Sequence, residues 1–207
     1  MSNFFKRGRN LLSVQGYFRK IEYMLIPSHA LLAKRVADHV EKNCDMKLCA
    51  AAFYRGSIAP DLFDKDKGSH YAPACPSYIQ KILRSFDDTD SDKMFSYKLG
   101  LLLHFVSDYF TAAHNDETLM HNMKQHMVYE TQLHFLLMKD STERLIAPCR
   151  SGDSPEMLAN SHARYLEADY DCRRDLDFIL TTCTRLAAGL VAERLEATVA
   201  LRQVAIA

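Results

Sequence analysis

The chain has 207 residues, 26 Lys plus Arg against 26 Asp plus Glu, and a formal net charge of zero, which excludes a general basic field for gripping nucleic acid. Apolar residues make up 48%, enough for one folded domain with a sizeable core and too many for a disordered chain. No apolar run approaches the roughly 20 residues of a membrane span, and the six cysteines form no CxxC pair, so they read as reduced, packed thiols and not as a disulfide framework or a thiolate metal site.

In chain order, residues 1–26 come first as a basic extension. Lys6, Arg7, Arg9, Arg19 and Lys20 alternate with Phe4, Phe5, Leu11, Leu12, Tyr17 and Phe18, with no acidic residue up to Ile21. The stretch LLSVQGYF is too short and too polar for a signal peptide. Three readings stand: a membrane-surface amphipathic segment, a transit-like presequence, or an extension packed on the domain. The expected location is cytoplasmic, with 1–26 offering peripheral membrane contact.

Residues 27–207 read as one all-α, multi-helix domain, because apolar residues recur at helical spacing and strand-like alternation is almost absent. Ser28 can cap a helix over about 29–42, with Leu31, Leu32, Val36 and Val40 on its apolar stripe. A second helix is expected over about 45–57, stopping near Pro60. Residues 62–76 are loop-like and a short helix follows at about 77–85. After the acidic turn at 87–92 come two long helices, about 92–113 and 117–139. The stretch RSGDSP, 150–155, is a break, and two last helices are expected over about 155–167 and 170–198.

The helix KLGLLLHFVSDYFTAAHN is apolar enough to be buried, yet His104 and Asp108 lie in its centre. Four residues apart, they share one face. A buried carboxylate is costly unless paired or bound to a metal, so this is either a core hydrogen bond or half of a metal site. The next helix repeats the arrangement with His126 and Glu130, and His114 lies between the two helices. Neutral imidazole and carboxylate are the usual zinc ligands where sulfur is absent, and paired motifs on neighbouring helices are a known bundle metal pattern. Asp61 follows Pro60, His70 lies in the polar loop and His29 in the first helical turn; each alone reads equally as a turn or surface residue. His121 is an alternative to His126, but one turn after it stands Gln125, where His126 has Glu130. His134 continues the His126–Glu130 face in a supporting role, and His39 and His162 read as surface residues.

With these residues in view, the stretches PSHALLAKRV, GSIAPD, GSHY, LGLLLHFVSDYFTAAHN and HMVYE resemble the zinc-dependent phospholipase C family over about 27–135. The resemblance implies an all-helical fold with three zinc ions at the bottom of a cleft. It implies one zinc on Asp61, His70, His104 and Asp108, a second on His114, His126 and Glu130, and a third on His29 with Asp108 as the bridge. In secreted members an N-terminal tryptophan completes the third site. This chain has no tryptophan, so two zinc ions are expected, with the third weak or absent. Asp61 is the candidate to orient or deprotonate the attacking water, or to serve simply as a ligand. Choline-lipid members carry a tyrosine after the matching aspartate; here the position is Leu62, which offers no aromatic face to a quaternary ammonium. The implied function is hydrolysis of a phospholipid-like phosphodiester. A phosphodiesterase on another substrate, such as the related single-strand-specific zinc nucleases, is the alternative, although their last ligand pair ends in Asp and this one in Glu130. A non-catalytic zinc-stabilised helical module is the other alternative.

Overall fold

A computed structural model describes residues 26–44, 46–63, 70–141, 148, 150–167 and 169–206. The helices are α1 (Ile26–Asn43), α2 (Ala50–Phe63), α3 (Cys75–Leu83), α4 (Asp92–Tyr109), α5 (Ala112–Asn115), α6 (Glu117–His121), α7 (Met123–Lys139), α8 (Ser154–Leu166) and α9 (Cys172–Ile206), with a 3-10 turn at Ser151–Asp153. No strand occurs among the described residues, as the helical periodicity predicts. The basic segment 1–25, and the loop 64–69, lie outside the described residues.

Helix α4 is the axis of the domain. Leu99, Leu102, Leu103, Phe105 and Val106 are buried along it, and α1, α2, α3 and α9 pack around it. Helix α7 packs on α1 and α9. The α2–α4 contact is backbone to backbone. A Cβ on Gly56 would stand 2.1 Å from the Tyr97 carbonyl oxygen, and one on Gly100 would stand 2.1 Å from that of Phe53. Only glycine permits that approach, and it brings the middle of α2 against the middle of α4.

Several boundaries differ from the sequence expectation. Helix α1 is already formed at Ile26 and Pro27, so Ser28 is not its cap. The Ser28 hydroxyl instead meets His134 Nδ1 at 3.0 Å, joining α1 to α7. Helix α2 begins at Ala50 and runs through Pro60 to Phe63. Proline there removes one backbone bond near the helix end, and burial of Gly56, Ser57, Ala59 and Pro60 outweighs the local preference.

The helix expected over 92–113 breaks after Tyr109, and the one over 117–139 breaks at Asn122. At the first break, Thr111 Oγ1 donates to the Ser107 carbonyl, and Asn115 Nδ2 donates to the carbonyls of Tyr109 and Thr111. At the second, the Asn122 side chain accepts from Gln125 N–H and starts α7 as an N-cap. The last helix runs past the expected 198 to Ile206.

The five described cysteines, Cys44, Cys49, Cys75, Cys172 and Cys183, are free thiols, three of them buried. Arg35 of α1 reaches the end of α7, where it pairs with Asp140 at 3.0 Å and also donates to the Leu137 and Asp140 carbonyls. A guanidinium there satisfies carbonyls that the helix end leaves open and opposes its partial negative charge.

Candidate metal centre

Five imidazoles and three carboxylates converge where α1, α2, α4, α5 and α7 meet. Asp108 stands at the middle. Its Oδ2 lies 2.7 Å from His70 Nδ1 and 3.3 Å from His104 Nε2, and its Oδ1 lies 3.4 Å from His29 Nε2 and 3.9 Å from His114 Nε2. The carboxylate therefore faces two groups of histidines with its two oxygens. Asp61 lies 3.7 Å from His29 Nε2 through Oδ2 and 3.8 Å from His104 Nε2 through Oδ1. Glu130 Oε1 is 3.2 Å from both His114 Nε2 and His126 Nε2.

Each side chain is placed by a local device. His104 and Asp108 face one way because they are one turn apart on α4, as are His126 and Glu130 on α7. His104 Nδ1 donates to the Ser57 carbonyl at 2.9 Å, a contact the glycine-to-glycine approach makes reachable; it leaves Nε2 as the atom turned to the cluster. His29 Nδ1 meets the Ser107 hydroxyl at 3.1 Å, with the same effect. His70 enters from the turn before α3, held by the Cys75 thiol donating to its carbonyl and by Ala72 N–H donating to the His114 carbonyl. His114 comes from the four-residue α5, turned inward by the break after α4.

The side chains strongly bias one another's charge. Burial, followed by repulsion from His104, pulls His29 down to about 4. Burial also opposes charge on His114, but Asp108 and Glu130 outweigh it and hold this imidazole up at about 9. Burial alone would raise Asp108, yet His104, His114 and His29 hold it well below the usual carboxylate range. Glu130 is likewise held down against burial by the hydrogen bonds of His114 and His126. Opposed shifts set by burial and by specific charge partners are a property of functional centres.

The donor set fits zinc. Two ligand atoms on a tetrahedral zinc lie about 3.3–3.6 Å apart, given bonds of about 2.0–2.2 Å, and most of the contacts above fall near that spacing. Of the six buried side-chain polar atoms without a protein hydrogen-bond partner among the described residues, five belong to this cluster: Asp61 Oδ2, His70 Nε2, His114 Nδ1, His126 Nδ1 and Glu130 Oε2. Orphaned atoms on this scale are rare in a folded core. Three compact ligand triads result: His29, His104 and Asp108; Asp61, His70 and His104; and His114, His126 and Glu130.

All eight candidate ligands thus share one cluster. His104 stands in two of the triads, where the family resemblance implies a single zinc for it. His121 is exposed on α6, outside the cluster. His134 is half-buried on the Glu130 face, against Ser28. His162 corrects its surface reading. It is buried, stacks on Tyr109 with ring centroids 3.7 Å apart, and donates through Nε2 to Asn115 Oδ1 at 2.9 Å. His39 is half-buried. The sequence reading also missed Ser107, the Ser57 carbonyl and Asp175, a fully buried carboxylate of α9. Asp175 was findable: it precedes the buried Ile179 and Cys183 by one and two turns, so it lies on an apolar stripe as Asp108 does.

Fold and site together define an all-helical protein with a buried histidine–carboxylate centre suited to metal. A family model described as zinc dependent phospholipase C matches residues 28–195. The chain belongs to this zinc-dependent phospholipase C family, and the match extends through most of α9, well past the motifs legible by eye. Comparison with curated proteins and with solved structures gave no match. No helix among the described residues is long and apolar enough to cross a membrane.

Proposed function

We propose that the chain is a zinc-dependent phosphodiester hydrolase of phospholipase C type, acting on a phospholipid-like substrate with weak or no preference for choline. The observation that carries this reading is the convergence of eight imidazole and carboxylate side chains into three compact ligand triads, with Asp61 Oδ2 and Glu130 Oε2 buried without protein partners. Two zinc ions, on Asp61, His70, His104 and Asp108 and on His114, His126 and Glu130, are the expected complement. His29, with the Asp108 oxygen that faces it, offers a weaker third position. Bound zinc would make water a nucleophile near neutral pH and offset the charge of a phosphoryl oxygen.

The protein's own groups do the rest. Asp61 has an unpartnered Oδ2 beside His29, so it can orient the attacking water and take its proton. His104 and His29 are held in one tautomer by the Ser57 carbonyl and Ser107 hydroxyl, and they keep the cluster fixed while charge moves. Attack of the water oxygen on phosphorus breaks the ester bond on the glycerol side. The alcohol leaves with a proton, and the phosphorylated headgroup is the other product. Leu62 is exposed beside Asp61, and that position itself offers no aromatic face to a quaternary ammonium.

The test is a substrate panel on zinc-loaded protein: para-nitrophenyl phosphorylcholine, short-chain phospholipids with several headgroups, and single-stranded DNA. Lipid turnover abolished by chelator and restored by zinc is expected. Asp61→Asn should lower kcat by about 100-fold or more with little change in KM. Turnover of DNA alone would move the protein to the nuclease class, and no turnover by loaded protein would make it a zinc-stabilised module.

A further inference from the structure

Asp175 lies outside the ligand set and has no exposed surface. Its Oδ2 accepts Ala112 N–H at 2.8 Å and the Tyr129 hydroxyl at 2.9 Å, and its Oδ1 accepts the Tyr165 hydroxyl at 2.9 Å. Ala112 is the first residue of α5, the helix that carries His114. Tyr129 is the neighbour of Glu130. One carboxylate oxygen of α9 therefore ties together the two elements whose His114 Nε2 and Glu130 Oε1 meet at 3.2 Å.

From this geometry we propose that Asp175 is a positioning residue for the His114–His126–Glu130 triad, setting its zinc affinity from behind. The assignment rests on that triad holding a metal. A four-residue helix has too few internal hydrogen bonds to hold its own direction, so α5 depends on what grips its ends. Asp175 grips the first. At the other, Asn115 donates to the Tyr109 and Thr111 carbonyls and accepts from His162, so α8 holds the far end. The three donors to Asp175 are uncharged, and a well-packed apolar residue is often the more stabilising choice at a buried site. A polar fork there serves placement, because its two terminal atoms join α5, α7 and α8 at one point, which an apolar side chain cannot do.

The experiment measures zinc retained by the full chain during titration with a competing chelator, for wild type and four variants. Asp175→Leu should hold one zinc per chain about tenfold or more weakly, with the remaining zinc unaffected, as expected when support behind metal ligands is removed. Asp175→Asn should retain near-wild-type zinc, because its amide oxygen still accepts at Ala112 and Tyr129 while its nitrogen can donate to the Tyr165 oxygen. Tyr129→Phe removes one hydrogen bond beside Glu130 with minimal repacking and keeps the test open should the leucine variant fail to fold; about fivefold weaker binding is expected. Tyr165→Phe removes the contact on the side away from the cluster and should lower Tm without loss of zinc.

Wild-type zinc retention in both Asp175→Leu and Tyr129→Phe would overturn the assignment. So would equal zinc loss in Tyr165→Phe, which would make Asp175 a general stabiliser. A wild-type chain that holds no zinc would overturn the metal reading itself, and this inference with it.

Discussion

Asp108 faces four imidazoles with two oxygens, whereas His29 pairs with two carboxylates, Asp61 and Asp108, at 3.7 and 3.4 Å. The two positions should respond unequally to substitution. Asp108→Asn removes the central negative charge and leaves buried imidazoles competing for protons. It is expected to lose zinc from more than one position and to destabilise by about 3–5 kcal/mol. His29→Ala should lose at most one zinc per chain; elemental analysis and melting curves of the two proteins compare them, and equal metal retention would remove Asp108 from the bridging role. His162 gives the pH signature. Burial holds its imidazole down to about 4 against a backbone hydrogen bond at Tyr109, below the ordinary value of 6.5. The unfolded chain therefore binds more protons between these values. The stability His162 contributes is whole above about pH 6.5 and falls as pH drops through 6.5 towards 4. Tm measured across that window should fall less steeply in His162→Gln than in wild type.

At the scale of the element, the contact between α2 and α4 decides whether a site exists. Asp61 and the Ser57 carbonyl come from α2, His104 and Asp108 from α4, and Gly56 and Gly100 set the separation between them. Gly100→Ala would add helix propensity worth about 1 kcal/mol, but its methyl group meets the Phe53 carbonyl, a backbone atom that no rotamer change can clear. The helices must part, and a net destabilisation of about 1–3 kcal/mol is expected in urea unfolding, together with weaker zinc retention. Gly152→Ala, with nothing within 4 Å of the added carbon, should be neutral in the same assay. The ligand pairs four residues apart were legible in the sequence because a helix fixes their common face. The breaks at Phe110 and Asn122 were not. They depend on Asn115, Thr111 and Asn122 side chains capping backbone groups, and on Asp175 arriving from far along the chain.

For the whole molecule, the ligands come from separate elements, so the centre exists only once the helices have docked. Metal bound by the folded chain and poorly by the unfolded one adds to stability by mass action. Removal of zinc by chelator should lower Tm by roughly 10 °C for each tightly held ion, taking about 4 kcal/mol per site and the entropy of unfolding of a domain this size. Differential scanning calorimetry with and without chelator, followed by zinc add-back, checks it; an unchanged Tm in protein shown to have lost its zinc would separate the cluster from the folding energetics.

Composition and periodicity alone determined the helical class. Local spacing singled out His104, Asp108, His126 and Glu130, because a polar pair inside an apolar helix is conspicuous whatever surrounds it. His29, Asp61 and His70 carried no such mark and drew their meaning from the family motif; the structure brings them to the same cluster. Only the tertiary structure decided that His162 is buried, that Asp108 turns one oxygen to each group of histidines, and that Asp175 of α9 bonds to α5 and α7 beside the centre. The physical reason is that burial, hydrogen-bond partnership and pKa depend on neighbours distant in sequence, and periodicity reports only the face a residue occupies on its own helix.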